Sequence, residues 1–226
     1  MLVFGLSGEP VILYPPAQGR FYDAKEEGLI LRLNDVLREG EIKIYCPDSA
    51  DTQSWYNYNV DPQERIRIHK AYEQVILHDV IDFALHESGA KSVSEIGCGF
   101  GGYHSVNIAL KYPNKIDSVI TVSGFFDIKQ FISGYYDEDC YFNNPSDYLP
   151  NLEDPWYLDR IRKMKIILGT GTNDFTLEEN KIFSALLTSK KITHKLDIQD
   201  DGSYGWDFWK MILPVYLGNL LQGPDQ

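Results

Sequence analysis

The chain has 226 residues and an ordinary globular composition, 43% hydrophobic and 24% charged, which is enough for a core that needs no disulfide support. Its formal net charge of −12, from 21 Lys and Arg against 33 Asp and Glu, argues against nucleic-acid or anionic-membrane binding, because both need basic patches. The N-terminus lacks a signal peptide, and no apolar run reaches the roughly 20 residues of a membrane span, so we expect a cytoplasmic protein.

Strand-like and helix-like segments alternate along the chain. Short runs rich in Val, Ile and Leu predict strands over 2–6, 11–14, 42–46, 93–96, 118–122, 165–168 and 193–198. Apolar residues at helical spacing predict helices over 25–37, 63–86, 177–189 and 206–221, and a further helix after the glycine-rich turn at 97–102. Residues 124–155, rich in Tyr, Asp, Asn and Pro, have the character of an insertion. This alternation predicts one α/β domain over 1–226, with a mostly parallel sheet and helices on both faces.

The segment from Ser92 to Lys111 predicts a buried strand, a glycine-rich turn and a helix. A nucleophile elbow, Gly-x-Ser-x-Gly, has this shape and presents a serine on a strained strand-to-helix turn. Aligning that pattern with the chain puts Gly99 at the serine position. The serine of a hydrolytic elbow is therefore missing.

A nucleotide-binding loop is the second interpretation of the same turn. Gly97, Gly99 and Gly102 fit the pattern Gly-x-Gly-x-x-Gly, and Glu-Ile-Gly-Cys-Gly-Phe-Gly resembles the first motif of S-adenosylmethionine-dependent methyltransferases. Such enzymes also carry an acidic residue at the end of the next strand, to hold the ribose. In this chain no acid follows that strand until Asp127, which weakens the methyltransferase hypothesis.

A wider set of motifs resembles the α/β-hydrolase superfamily. The motifs are Gly97-Cys-Gly-Phe-Gly-Gly-Tyr-His104, Ala109-Leu-Lys-Tyr-Pro113 and Val122-Ser-Gly124. They are most similar to the esterase branch that contains esterase D and feruloyl esterases. Three more stretches resemble one bacterial group of that branch: 19–22, 137–145 and 154–159. The resemblance covers nearly the whole chain.

The resemblance implies a Ser–Asp–His triad in that chain order. The serine position falls on Gly99, the acid on Asp174 and the histidine on Tyr204, so the acid alone is retained. The backbone N–H groups of Phe100 and of Gln18 would form the oxyanion hole. No metal and no cofactor is implied.

Loss of a serine nucleophile typically lowers kcat by about 10⁶. We therefore expect a non-catalytic or repurposed esterase homologue that binds a small ester-like or acyl ligand, or a partner protein, and whether it is an enzyme stays open. The alternative is an active hydrolase of small esters with a non-standard constellation, for instance Asp174 or Tyr204 activating water. Neither hypothesis fixes the oligomeric state, and a homo-oligomer is one option.

Two other features are candidate functional sites. Cys98 precedes the elbow position and lacks a placed histidine, so a buried thiol is favoured over a nucleophile; with Cys46 and Cys140 it also forms no disulfide framework or zinc pattern. The segment 135–144, rich in Tyr, Asp and Asn, would suit a lid, an oligomer contact or a self-packed loop equally well. The five histidines are interpreted as structural or solvated.

Overall fold

The computed structural model, which describes residues 1–221, contains one seven-stranded sheet with the strand order β1-β3-β2-β4-β5-β6-β7. Only β1 runs antiparallel, against β3, and the other neighbouring strands are parallel. The strands are β1 (Leu2–Phe4), β2 (Glu9–Tyr14), β3 (Ile42–Cys46), β4 (Val93–Cys98), β5 (Ile116–Val122), β6 (Lys165–Gly171) and β7 (Lys195–Gln199).

Helices cover both faces of this sheet. They are α1 (Asp23–Glu26), α2 (Leu29–Arg32), α3 (Asn34–Arg38), α4 (Pro62–Val75), α5 (Asp82–Ser88), α6 (Phe100–Lys111), α7 (Glu138–Tyr141), α8 (Pro145–Asn151), α9 (Pro155–Ile161), α10 (Leu177–Ser189) and α11 (Trp206–Leu221). No helix of the described residues is long and apolar enough to cross a membrane.

The core forms two layers because successive strand side chains point to opposite faces of the sheet. On β4, Val93 packs with the buried residues of α5, α6 and α10. Ile96, three residues further along β4, points to the other face and packs with Leu29 and with the apolar side of α11. The predicted fold class, a mostly parallel sheet with helices on both faces, is confirmed.

Two predicted helices differ in detail. The segment predicted as one helix over 25–37 is three short helices, α1 to α3, because Gly28 takes a left-handed conformation with φ 82° and Leu33 leaves the helical region with φ −98° and ψ 7°. The long helix predicted over 63–86 is present as α4 and α5. A π-helical turn, Ile76–Ile81, joins them and shifts the register of the buried face.

The insertion-like segment folds onto the body of the protein. Asp137 caps α7 by accepting a hydrogen bond from the Cys140 N–H at 2.8 Å. Tyr103 of α6 donates to the Asn143 carbonyl at 2.9 Å, and both residues are buried. Of the interpretations left open for 135–144, self-packing against α6 is therefore the one that the contacts support.

Candidate active site

Gly99 occupies the turn between β4 and α6 and has φ 57° and ψ −124°. This region of backbone space is accessible essentially only to glycine without strain. The preceding Gly97 has a different reason to be glycine, because a Cβ there would lie 2.0 Å from the Gly101 carbonyl oxygen. The chain thus forms the tight, strained turn of a nucleophile elbow, but the residue at the nucleophile position, Gly99, has no side chain.

Tyr204 fills the space above Gly99. It comes from the loop between β7 and α11, and a Cβ built on Gly99 would lie 2.2 Å from its hydroxyl oxygen and 3.0 Å from its Cζ. The ring packs against Phe175 and Trp209, with centroids 4.6 and 4.9 Å away. With Tyr204 in this orientation a serine side chain at residue 99 has no room, so Gly99 and Tyr204 form a complementary pair.

The phenol of Tyr204 is neutral at pH 7. Burial is the main cause that raises its pKa, to about 12, and the negative charge of Asp174 adds to the shift. A neutral phenol with so high a pKa is a poor general base at neutral pH. Tyr204 is therefore unsuited to the proton transfer that the resemblance assigns to a histidine at this position.

Asp174 lies after β6, where the fold places the acid, and is 5% exposed. Its Oδ2 accepts a hydrogen bond from Ser123 Oγ at 2.5 Å, and its Oδ1 accepts from both the N–H and the hydroxyl of Thr176 at 2.8 Å. Ser123 Oγ in turn accepts from Trp209 Nε1 at 3.0 Å. The carboxylate therefore ties together β5, the β6–α10 loop and α11, which is a structural reason for its presence.

The two amides implied for the oxyanion hole have different surroundings. The Phe100 N–H lies in the first turn of α6, where amides lack an intrahelical acceptor. The Gln18 N–H donates to Asp51 Oδ2 at 3.0 Å, and Asp51 Oδ1 also binds His104 Nε2 at 2.8 Å. The Gln18 amide is thus directed at a buried carboxylate of its own chain, and Phe100 supplies the remaining donor.

The other nucleophile considered from sequence is buried. Cys98 is 2% exposed, and burial raises the pKa of its thiol far above the usual range, which keeps it protonated. His104 and His69 are both 2% exposed, and each lies in hydrogen-bonded contact with a neighbouring side chain.

Two residues of the site are not evident from the sequence motifs. Ser123 follows β5 in a left-handed conformation with φ 58°, and the dipeptide Ser123-Gly124 was a visible sign of a tight turn. Asp51 gave no sequence signal, since nothing local relates it to Gln18 or to α6.

Glu95 lies on β4 beneath the elbow and is fully buried. Its Oε1 accepts from the Tyr14 hydroxyl at 3.0 Å, and within the described residues its Oε2 has no partner. Burial raises the pKa of the Glu95 carboxyl well above its ordinary value, so the folded protein holds it neutral.

A Glu95→Gln variant is therefore expected to gain stability over the unmodified protein as pH rises. A carboxyl with a raised pKa in the folded state contributes its full stability below its unfolded pKa and loses it as pH rises through the folded pKa. The difference in unfolding free energy between the variant and the unmodified protein should grow by up to about 1.4 kcal/mol per pH unit once the pH exceeds the pKa of the unfolded carboxyl, about 4.3. Urea unfolding at several pH values measures it, with the exposed Glu138→Gln as control; a flat difference contradicts a neutral Glu95.

The carboxyl ends of β2, β4, β6 and β7 bring Gln18, Gly99, Asp174 and Tyr204 to one edge of the sheet. A mostly parallel sheet with a strained strand-to-helix turn at the end of a central strand, and an acid after β6, defines the α/β-hydrolase fold. The chain has this fold.

Comparisons with known proteins agree at the level of the fold. No family model and no curated protein matches the sequence. A ferulic acid esterase superposes with a TM-score of 0.72 at 12% identity, over 94% of this chain and 84% of the other. MPT51 (FbpC1) of Mycobacterium tuberculosis gives 0.69 at 15%, over 97% and 91%, and S-formylglutathione hydrolase FrmB of Staphylococcus aureus gives 0.66 at 16%, over 95% and 84%.

These structures support the resemblance to esterases that the motifs carry and give the methyltransferase hypothesis no support. The geometry agrees, because Gly97 and Gly102 of the proposed loop are in close contact with protein atoms. A Cβ on Gly102 would lie 3.0 Å from the Gly124 Cα on the loop after β5 and 3.3 Å from the Thr121 Cβ. The glycine pattern is thus explained by the packing of α6 on the sheet.

Proposed function

We propose that this protein is a non-hydrolytic member of the α/β-hydrolase fold, an esterase-like scaffold that binds a ligand rather than cleaving an ester. The observation that carries the proposal is the distance of 2.2 Å between the Cβ position of Gly99 and the Tyr204 hydroxyl oxygen. A missing nucleophile typically lowers kcat by about 10⁶. In this protein the phenol of Tyr204 also fills the space next to the nucleophile position, so a serine side chain at residue 99 would have to displace it.

The proposed ligand is a small ester-like or acyl compound that lies on the aromatic surface above the filled site. Phe175 is 70% exposed there, and Phe125 lies beside it with ring centroids 5.8 Å apart. The names of two similar structures, a ferulic acid esterase and an S-formylglutathione hydrolase, support an acyl compound. Three buried, unpaired cysteines support a reducing compartment, and we place the protein in the cytoplasm.

A hydrolase with a non-standard constellation is the second candidate. It would need Asp174 or Tyr204 to activate water. The hydrogen bonds that Asp174 accepts from Ser123 and Thr176, and the raised pKa of Tyr204, both oppose that role.

Hydrolysis of 4-nitrophenyl acetate and labelling by a fluorophosphonate probe separate the two candidates. The unmodified protein should not be labelled, and its residual rate should stay within about twofold in Asp174→Asn and in Tyr204→Phe, because neither group takes part in chemistry. Circular dichroism confirms that each variant is folded, and Tyr204→Phe keeps the ring packing. A tenfold or larger loss of rate in either folded variant would establish the second candidate.

A further inference from the structure

A cleft of about 370 Å³ lies at the C-terminal end of α6, where residues of α7, α8 and α9 pack against this helix. The elbow is at the opposite end of this 12-residue helix, about 18 Å away along its axis. The cleft is therefore separate from the candidate active site. Its walls are mostly aromatic, and they include Tyr112, Tyr141, Phe142, Tyr148 and Tyr157.

Aromatic faces attract organic cations, because the ring quadrupole places negative potential above the ring. Among the described residues that line the cleft, the one cation is Lys111, and it is already neutralised. Its Nζ donates to Glu73 Oε2 at 2.5 Å and to Asn143 Oδ1 at 3.1 Å, and Glu73 is 4% exposed. Among the described residues, the positive charge of Lys111 at the cleft is therefore compensated by Glu73.

The segment that builds most of the cleft is strongly acidic. Residues 133–155 contain six Asp and Glu residues and no Lys, Arg or His. Glu138 of α7 and Glu153, which follows the cleft residue Leu152, are both exposed. Two of the six carboxylates are paired with lysines, Asp139 with Lys70 and Asp147 with Lys129. The field of the others, within a chain of net charge −12, attracts cations and repels carboxylates and phosphates.

We propose that this cleft binds a small quaternary ammonium compound through cation–π contact with its tyrosine rings. The volume suits this class, since ligand pockets begin at about 300 Å³ and a choline-sized molecule is among the smallest ligands. The site is independent of the proposed function at the elbow.

Titration calorimetry with choline and with 3,3-dimethyl-1-butanol tests the proposal, because the second compound has the same shape without the charge. Choline should bind about tenfold more tightly than its neutral isostere, and its affinity should fall as salt is added. Phosphocholine and phosphatidylcholine vesicles should bind more weakly than free choline, since the acidic segment repels their phosphate. Equal affinity for choline and the isostere, or no choline binding at about 10 mM, would overturn the proposal, as would tighter binding of phosphocholine.

Variants assign the binding to this cleft. Tyr141→Leu and Tyr157→Leu remove a ring and should each weaken choline binding at least about fivefold, whereas Tyr141→Phe and Tyr157→Phe keep the ring and should stay within about twofold. The exposed Tyr58 lies outside the cleft, and Tyr58→Leu should change nothing. Because the phenylalanine variants preserve packing, a loss that is equal in the Leu and Phe variants would contradict cation–π recognition.

Discussion

The double variant Gly99→Ser/Tyr204→His is expected to hydrolyse 4-nitrophenyl acetate at least about 10²-fold faster than the unmodified protein. The backbone of Gly99 already has the elbow conformation, with φ 57° and ψ −124°. Removing the phenol frees the position that a serine side chain needs, and a histidine at 204 would lie in the neighbourhood of Asp174, whose charge already influences Tyr204. The full effect of a triad, about 10⁶, is not expected, because Asp174 is held by Ser123 and the Gln18 amide by Asp51.

Three controls make this result specific. Gly99→Ser/Tyr204→Phe restores the serine without a base, and Tyr204→His alone supplies a base without a nucleophile, so both should stay near the unmodified rate. Adding Asp174→Asn to the active double variant should lower its rate steeply, since the acid orients the histidine. A folded double variant that is no faster than Gly99→Ser/Tyr204→Phe would show that this edge of the sheet cannot hold a triad.

The sheet and the elbow could be predicted because their signals are local. Continuous Val, Ile and Leu runs indicate buried parallel strands, and the closely spaced Gly97 and Gly99 indicate a tight strand-to-helix turn. The prediction of one helix over 25–37 was wrong for an equally local reason. The spacing of the apolar residues is helical, but Gly28 adopts a left-handed backbone conformation that ends the first helix.

The contacts of the candidate site could not be predicted from the sequence, because they join residues that are far apart along the chain. The alignment placed Tyr204 at the histidine position, but only the folded chain brings its hydroxyl to the Cβ position of Gly99. Likewise, Asp174 looked like a retained catalytic acid. Its hydrogen bond to Ser123, 51 residues away in sequence, gives it a structural role that spacing alone does not reveal.

This structural role gives Asp174 a function in the folded protein that does not depend on catalysis. Hydrogen bonds to a charged partner contribute about 1.5–3 kcal/mol each, so loss of the Asp174 carboxylate would leave Ser123 and Thr176 without their acceptor. Gly99 and Tyr204 fit each other sterically, and this fit makes a quantitative prediction.

Gly99→Ala should lower the unfolding free energy by about 3 kcal/mol or more, since backbone strain contributes roughly 1–3 kcal/mol and the contact with Tyr204 a similar amount. In a Tyr204→Ala background the contact is gone, and the same substitution should cost only the strain. Urea unfolding of the four proteins gives the coupling energy, expected at about 1–3 kcal/mol. Gly28→Ala is the matched control, because Gly28 has φ 82° with nothing within 4 Å of its Cβ position, so its cost should be strain alone and independent of Tyr204. If Gly99→Ala costs the same in both backgrounds, the tyrosine does not occupy the nucleophile position, and steric filling by its phenol no longer explains an inert site.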